Sequence, residues 1–184
     1  CTLRAAIEEV NLNTDVDTIT FDIPTTDYGY SSNTGTVTFT ISPKKPLPNI
    51  EKAVVIDATS QSNGTVVLNG KNAGKACGIS TKDKDCTIKG MHIQNFSGDG
   101  IKAKSDVFLK NTKISSNKGS GVSSRTDITI EGTDNEFSDN GKSGISSGGD
   151  VNAGVIQVEN NGGYGIAAKS AVFINGKGSS DFNT

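Results

Sequence analysis

The chain has no tryptophan and a single histidine, and aromatic residues make up only 5% of its 184 positions. Few rings are therefore on hand to stack against a sugar. No apolar run exceeds four residues, as in Ala53-Val54-Val55-Ile56. That is far short of the ~20 a membrane-spanning helix needs, so no membrane span is expected. Neither sign of charge prevails: 18 basic against 20 acidic residues give a net −2. Nucleic-acid binders carry a basic surplus, so no nucleic-acid partner is expected. Hydrophobic residues are 33% and prolines number 4. The cysteines are Cys1, Cys77 and Cys86, an odd count that cannot complete an intrachain disulfide framework.

Glycine, by contrast, is plentiful at 22 residues, and much of it keeps time. Gly78-Ile79, Gly100-Ile101, Gly121-Val122, Gly144-Ile145 and Gly165-Ile166 recur at steps of 22, 21, 23 and 21 residues. A second apolar pair follows in each repeat: Cys86/Ile88, Val107/Leu109, Ile128/Ile130, Val151/Ala153 and Val172/Ile174. A third apolar position comes later, at Ile93, Ile114, Phe137 and Val158. β-Branched residues dominate these columns, as pleated surfaces prefer. Three short strands per repeat, each burying its face only by stacking on its neighbours, make a solenoid. The expected fold is all-β: a right-handed single-stranded parallel β-helix of three sheets, 21–23 residues per coil, with a short N-terminal capping α-helix.

Two polar columns accompany the apolar ones. Asn117, Asn140 and Asn161 each lie three residues after the third apolar position, where the preceding coil has Phe96. Amides stacked roughly 4.8 Å apart can pass hydrogen bonds along the axis, so a structural ladder is expected. Asp85, Asp106, Asp127 and Asp150 each immediately precede the second strand, with Ala171 in the fifth coil. A turn aspartate ordinarily accepts from the backbone N–H two residues on. The alternative is a ligand strip for calcium or polysaccharide, flanked by the bases Lys104 and Arg125. No cofactor is otherwise expected, and the spacing matches no metal-binding loop. Cys77 and Cys86 each stand two residues before an inward isoleucine, so both should face inward, as free thiols or as a disulfide across one coil.

The single histidine, His92, sits between Met91 and Ile93 and should point outward into solvent without a carboxylate pair. Glycoside hydrolysis needs two carboxylates at the scissile bond, so no catalytic residue is expected. The string Asn13-Thr14-Asp15 is similar to part of a hydrolase signature, but it falls in the loop after the cap. Asp27-Tyr28-Gly29-Tyr30-Ser31-Ser32-Asn33 is the one loop with clustered rings, and its plain reading is a flexible polar loop.

Three segments result: 1–16, a capping helix and loop; 17–76, irregular N-terminal coils; and 77–184, regular coils open at the C-terminal end. Thr2 should cap a helix reaching about Asn11, with Leu3, Ile7 and Val10 as its apolar stripe. The opening at Cys1 predicts a processed or excised chain. Phe182-Asn183-Thr184 aligns with Phe137-Ser138-Asp139, so the chain stops inside a coil. An unfinished end would be covered by further domains of a longer chain, or would self-associate end to end.

Cys1-Thr2-Leu3-Arg4-Ala5-Ala6-Ile7, then Asp17-Thr18-Ile19-Thr20-Phe21, resembles the CSLREA-type start of secreted parallel β-helix proteins. Pro46-Leu47-Pro48-Asn49-Ile50 and Val55-Ile56-Asp57 resemble that family's next stretch. Ala5 stands where the pattern has glutamate, which removes a charge partner for Arg4. The resemblance implies export to the cell surface or beyond and places Cys1 downstream of a leader. It says little about activity. The expectation is a non-enzymatic extracellular structural or adhesin-like solenoid, cell-surface or filament-forming, with polysaccharide as a candidate partner. The alternatives are a polysaccharide lyase-like module, or a calcium-dependent glycan-binding module on the aspartate column.

Overall fold

The computed structural model describes residues 1–13 and 16–176; Thr14, Asp15 and the Phe182-Asn183-Thr184 end lie outside the described residues. The first element, α1, spans Leu3–Leu12. It starts where the hydroxyl of Thr2 accepts the Ala5 amide at 3.2 Å, satisfying one of the free N–H groups of the first turn. Leu3, Ile7 and Val10 are its buried stripe, laid against the core. Two side chains clamp it to the segment after Pro43. Arg4 donates to the carbonyls of Lys45 (3.2 Å) and Pro46 (2.6 Å). Asn11 donates to the Asn49 carbonyl and accepts the Glu51 amide, both at 2.8 Å.

From Asp17 the backbone winds through three stacked sheets for about six turns, a parallel β-solenoid. The first sheet takes Asp17–Thr20, Val54–Asp57, Cys86–Lys89, Val107–Lys110, Ile128–Glu131, Val151–Ala153 and Val172–Ile174 in order. The second takes Thr36–Ile41, Thr65–Asn69, Met91–Gln94, Lys113–Ser115, Glu136–Ser138 and Gln157–Glu159. Tyr30–Asn33 joins its N-terminal edge antiparallel to Thr36–Ile41. The third sheet is narrow: Ile79–Ser80, Ile101–Lys102, Val122–Ser124, Ile145–Ser147 and Ile166–Ala168.

Register follows the glycine-isoleucine beat. Ile79, Ile101, Val122, Ile145 and Ile166 pair in succession, as do Ile93, Ile114, Phe137 and Val158 in the second sheet. Ile79 to Ile145 are fully buried, and each such side chain contributes roughly 1.5–3 kcal/mol by leaving water. In the last described coil Ile166 and Ile174 are half-buried and Val172 is exposed, since described residues cover that row from one side only.

The glycine of the beat is a steric requirement. A Cβ on Gly121 would come within 2.5 Å of the Gly144 carbonyl oxygen, and one on Gly100 within 2.7 Å of the Gly121 oxygen. Backbones of successive coils touch along this seam, and no side chain fits between them. Left-handed backbone turns the chain from sheet to sheet. Asn111 (φ 49°) serves the bend between the first and second sheets, and Ser116 (φ 57°), Asp139 (φ 54°) and Asn160 (φ 54°) the bend after the second. Asparagine and aspartate adopt this region more readily than other side chains, and Ser116 is the exception.

Irregular places are held by buried polar side chains. Gln61 stands in for a missing strand partner: its Oε1 accepts the Ile23 amide at 2.7 Å and its Nε2 donates to the Ile23 carbonyl at 3.2 Å. Asn135 accommodates the longest repeat, accepting the Thr112 amide and donating to the carbonyls of Glu131 and Val155. No buried side-chain N or O among the described residues lacks a partner.

Candidate functional site

The asparagine column runs through the bend after the second sheet. Asn117 donates Nδ2 to Asn140 Oδ1 at 3.1 Å, and Asn140 to Asn161 Oδ1 at 3.1 Å. The same oxygens accept the backbone amides of Asn117 and Asn140, and Asn117 Oδ1 accepts that of Phe96. Each Nδ2 also reaches a carbonyl of the preceding coil: Ile93, Ile114 and Phe137. With Asn117 and Asn140 about 1% exposed, these amides face the interior.

The aspartates bond differently from the turn geometry expected. Each Oδ1 accepts a backbone amide one coil on rather than two residues on: Asp85 from Asp106 (3.2 Å), Asp106 from Asp127 (3.2 Å), Asp127 from Asp150 (2.8 Å), Asp150 from Ala171 (2.9 Å). Parallel stacking brings the next amide nearer than the residue's own turn does. The column thus points up the axis, whereas the asparagine oxygens accept from the coil before them. Lys104 and Arg125 form no ion pair with it among the described residues.

Cys77 and Cys86 stand as free thiols in this structure. Cys86 faces inward and is fully buried, and burial, then the neighbouring Asp85 charge, push its thiol up to about 12. Cys77 is only half-buried. It precedes the two-residue strand Ile79–Ser80, so the alternation that holds within a strand does not extend to it.

His92 departs from the expected solvated side chain. It does lie on the outer face of the second sheet, but half-buried, its Nε2 3.1 Å from Ser115 Oγ. Burial lowers its pKa; Glu136 opposes this and Lys113 adds to it. Lys113 itself bridges to Asp134 at 2.9 Å. Ser115 is 8% exposed, so this hydroxyl lies covered rather than presented to a substrate.

A cleft lies at the N-terminal end. It has a volume of about 980 Å³ and opens between the start of α1, the Ile19–Pro24 segment, the Asp27–Ser31 turn and Thr40–Ser42. Phe21 and Ile19 form its buried floor with half-buried Ile23 and Ile41. Its charged side chains are Asp22 and Asp27, and its rings Phe21, Tyr28 and Tyr30. Four hydrogen bonds run through the turn. Pro24 O accepts the Asp27 amide (2.9 Å), Asp27 O that of Tyr30 (3.0 Å), Asp27 Oδ1 that of Gly29 (2.8 Å), and Gly29 O that of Thr40 (2.8 Å). Any Cβ at Gly29 would collide with the Thr40 carbonyl. Tyr30 packs on Phe39 with ring centroids 5.6 Å apart, while Tyr28 is fully exposed. The sequence signalled the rings but not the cleft, because residues as far apart in the chain as Thr2, Asp22 and Ile41 line it together only in the fold. Compared with family models, with curated proteins and with solved structures, the chain matches none.

Proposed function

We propose that the chain is a secreted solenoid of the CSLREA type, a non-enzymatic structural or adhesin-like rod at the cell surface or in a filament, with carbohydrate contact as a secondary property. The observation that carries this reading is the use made of the repeated polar residues. Asn117, Asn140 and Asn161, and Asp85, Asp106, Asp127 and Asp150, spend their oxygens on backbone amides of adjacent coils. Each such bond contributes about 1 kcal/mol net, and together they lock coil to coil. A rod that must hold its shape without a globular core needs this kind of axial fastening. The opening Cys1-to-Phe21 pattern supports export.

Electron microscopy of native material, with antibody labelling of intact cells, tests it. Rods or fibres of fixed axial rise on the cell exterior support the reading. An absorbance rise from unsaturated products on polygalacturonate overturns it in favour of a lyase. Glycan binding that requires calcium and is lost on Asp106→Asn and Asp127→Asn overturns it in favour of a calcium-dependent module.

A further inference from the structure

We infer that the cleft beside α1 is a binding site for a neutral glycan, with Tyr28 as its stacking platform. A fully exposed aromatic ring adds nothing to the core, yet Tyr28 is carried on a turn fixed by four hydrogen bonds and a backbone-to-backbone contact at Gly29. Tyr30, two positions on, anchors that turn by packing on Phe39. The backbone that carries the ring is therefore fixed, so binding has only the two side-chain torsions of Tyr28 left to order. The electron-rich face of a tyrosine attracts the C–H-bearing face of a sugar, and its hydroxyl adds a polar handle.

The rest of the cleft matches such a ligand. Asp22 and Asp27 present acceptors for sugar hydroxyls; Asp27 commits Oδ1 to the Gly29 amide, and its Oδ2 takes no hydrogen bond among the described residues. The volume of about 980 Å³ is at the upper end of the ~300–1,000 Å³ typical of ligand clefts, suiting a chain of sugars more than one ring. Charge selects the class. The charged side chains of the lining are both carboxylates, and with a single Cys1 amino group beside them they disfavour a polyuronate and leave a neutral polymer unopposed. This inference rests on the carbohydrate part of the function proposed above, but not on the rod or its location. It is tested on the isolated chain, so either can fail alone.

Isothermal titration calorimetry with cellohexaose, chitohexaose and polygalacturonate tests it. Saturable binding of at least one neutral hexamer is expected, weakened roughly tenfold by Tyr28→Ala, as the loss of one stacked ring implies. Tyr164→Ala, at an exposed ring in a distant coil, should leave it unchanged. Because the Tyr28 ring makes no core contact, the variant should melt with the parent, which circular dichroism checks. The inference is overturned if neither hexamer binds, if Tyr28→Ala binds as tightly as the parent, or if only polygalacturonate binds.

Discussion

Asn140 Oδ1 accepts both the side-chain Nδ2 of Asn117, at 3.1 Å, and its backbone amide, at 3.2 Å, so one oxygen satisfies two buried donors of the preceding coil. Asn140→Ala takes the acceptor from the Asn117 backbone amide and from one Asn117 Nδ2 hydrogen, leaves that Nδ2 its bond to the Ile93 carbonyl, and removes a donor to the Ile114 carbonyl. We expect a loss of about 3 kcal/mol, read as a fall in the urea midpoint. Lys142→Ala, two residues on and exposed, should stay within about 0.5 kcal/mol.

The glycine seam makes a sharper prediction. Gly121→Ala puts a methyl group against the Gly144 carbonyl and the Asn140 amide, with backbone on one side and a committed ladder residue on the other. Neither can yield cheaply. The variant should lose about 3 kcal/mol or more, or fail to accumulate as folded protein. An unchanged melting temperature would contradict the close stacking of coils.

Thiol chemistry separates the cysteines. Cys86, buried and pushed up to about 12, should resist an aromatic disulfide reagent at pH 8 until the chain unfolds. Exposed Cys1 should react at once and half-buried Cys77 more slowly. Native protein should thus titrate fewer thiols than protein in urea, and Cys86→Ser should abolish the difference.

Acid should weaken the fold in two windows. His92 has its pKa lowered below the ordinary 6.5, chiefly by burial, so the unfolded chain binds the proton more readily. Its contribution is intact above pH 6.5 and is lost as pH falls below that value toward the folded-state pKa. At Asp57 burial raises the pKa, but bonds from Thr59 and the Lys89 charge outweigh it and hold the carboxyl below 3.8. Its contribution is present above that value and lost as pH falls through the lower folded-state pKa. His92→Gln should flatten urea midpoints between pH 7 and 5 and leave the Asp57 window in place.

What could be read from the sequence was whatever repeats. The rows Ile101, Val122, Ile145 and Ile166 and the amides Asn117, Asn140 and Asn161 announce themselves by recurring at one spacing, because stacked coils place equivalent residues in equivalent surroundings. Thr2 and the Leu3, Ile7, Val10 stripe were equally legible, since capping and helical period are local. The aspartate column was visible, but its partners were not: the choice between an amide two residues on and one a coil away depends on three-dimensional proximity. Gln61, Asn135 and the cleft had no periodic signal. Each solves a problem particular to one coil, and only the folded chain poses it.

The two polar columns reach in opposite senses, the aspartates toward the following coil and the asparagine oxygens toward the preceding one. Where both columns are present, a winding added or removed whole presents the same pair of faces at both junctions and restores the matches. A partial winding breaks both kinds of junction at once. Duplication and loss are therefore expected only in integer steps, and a solenoid of this design grows by counting.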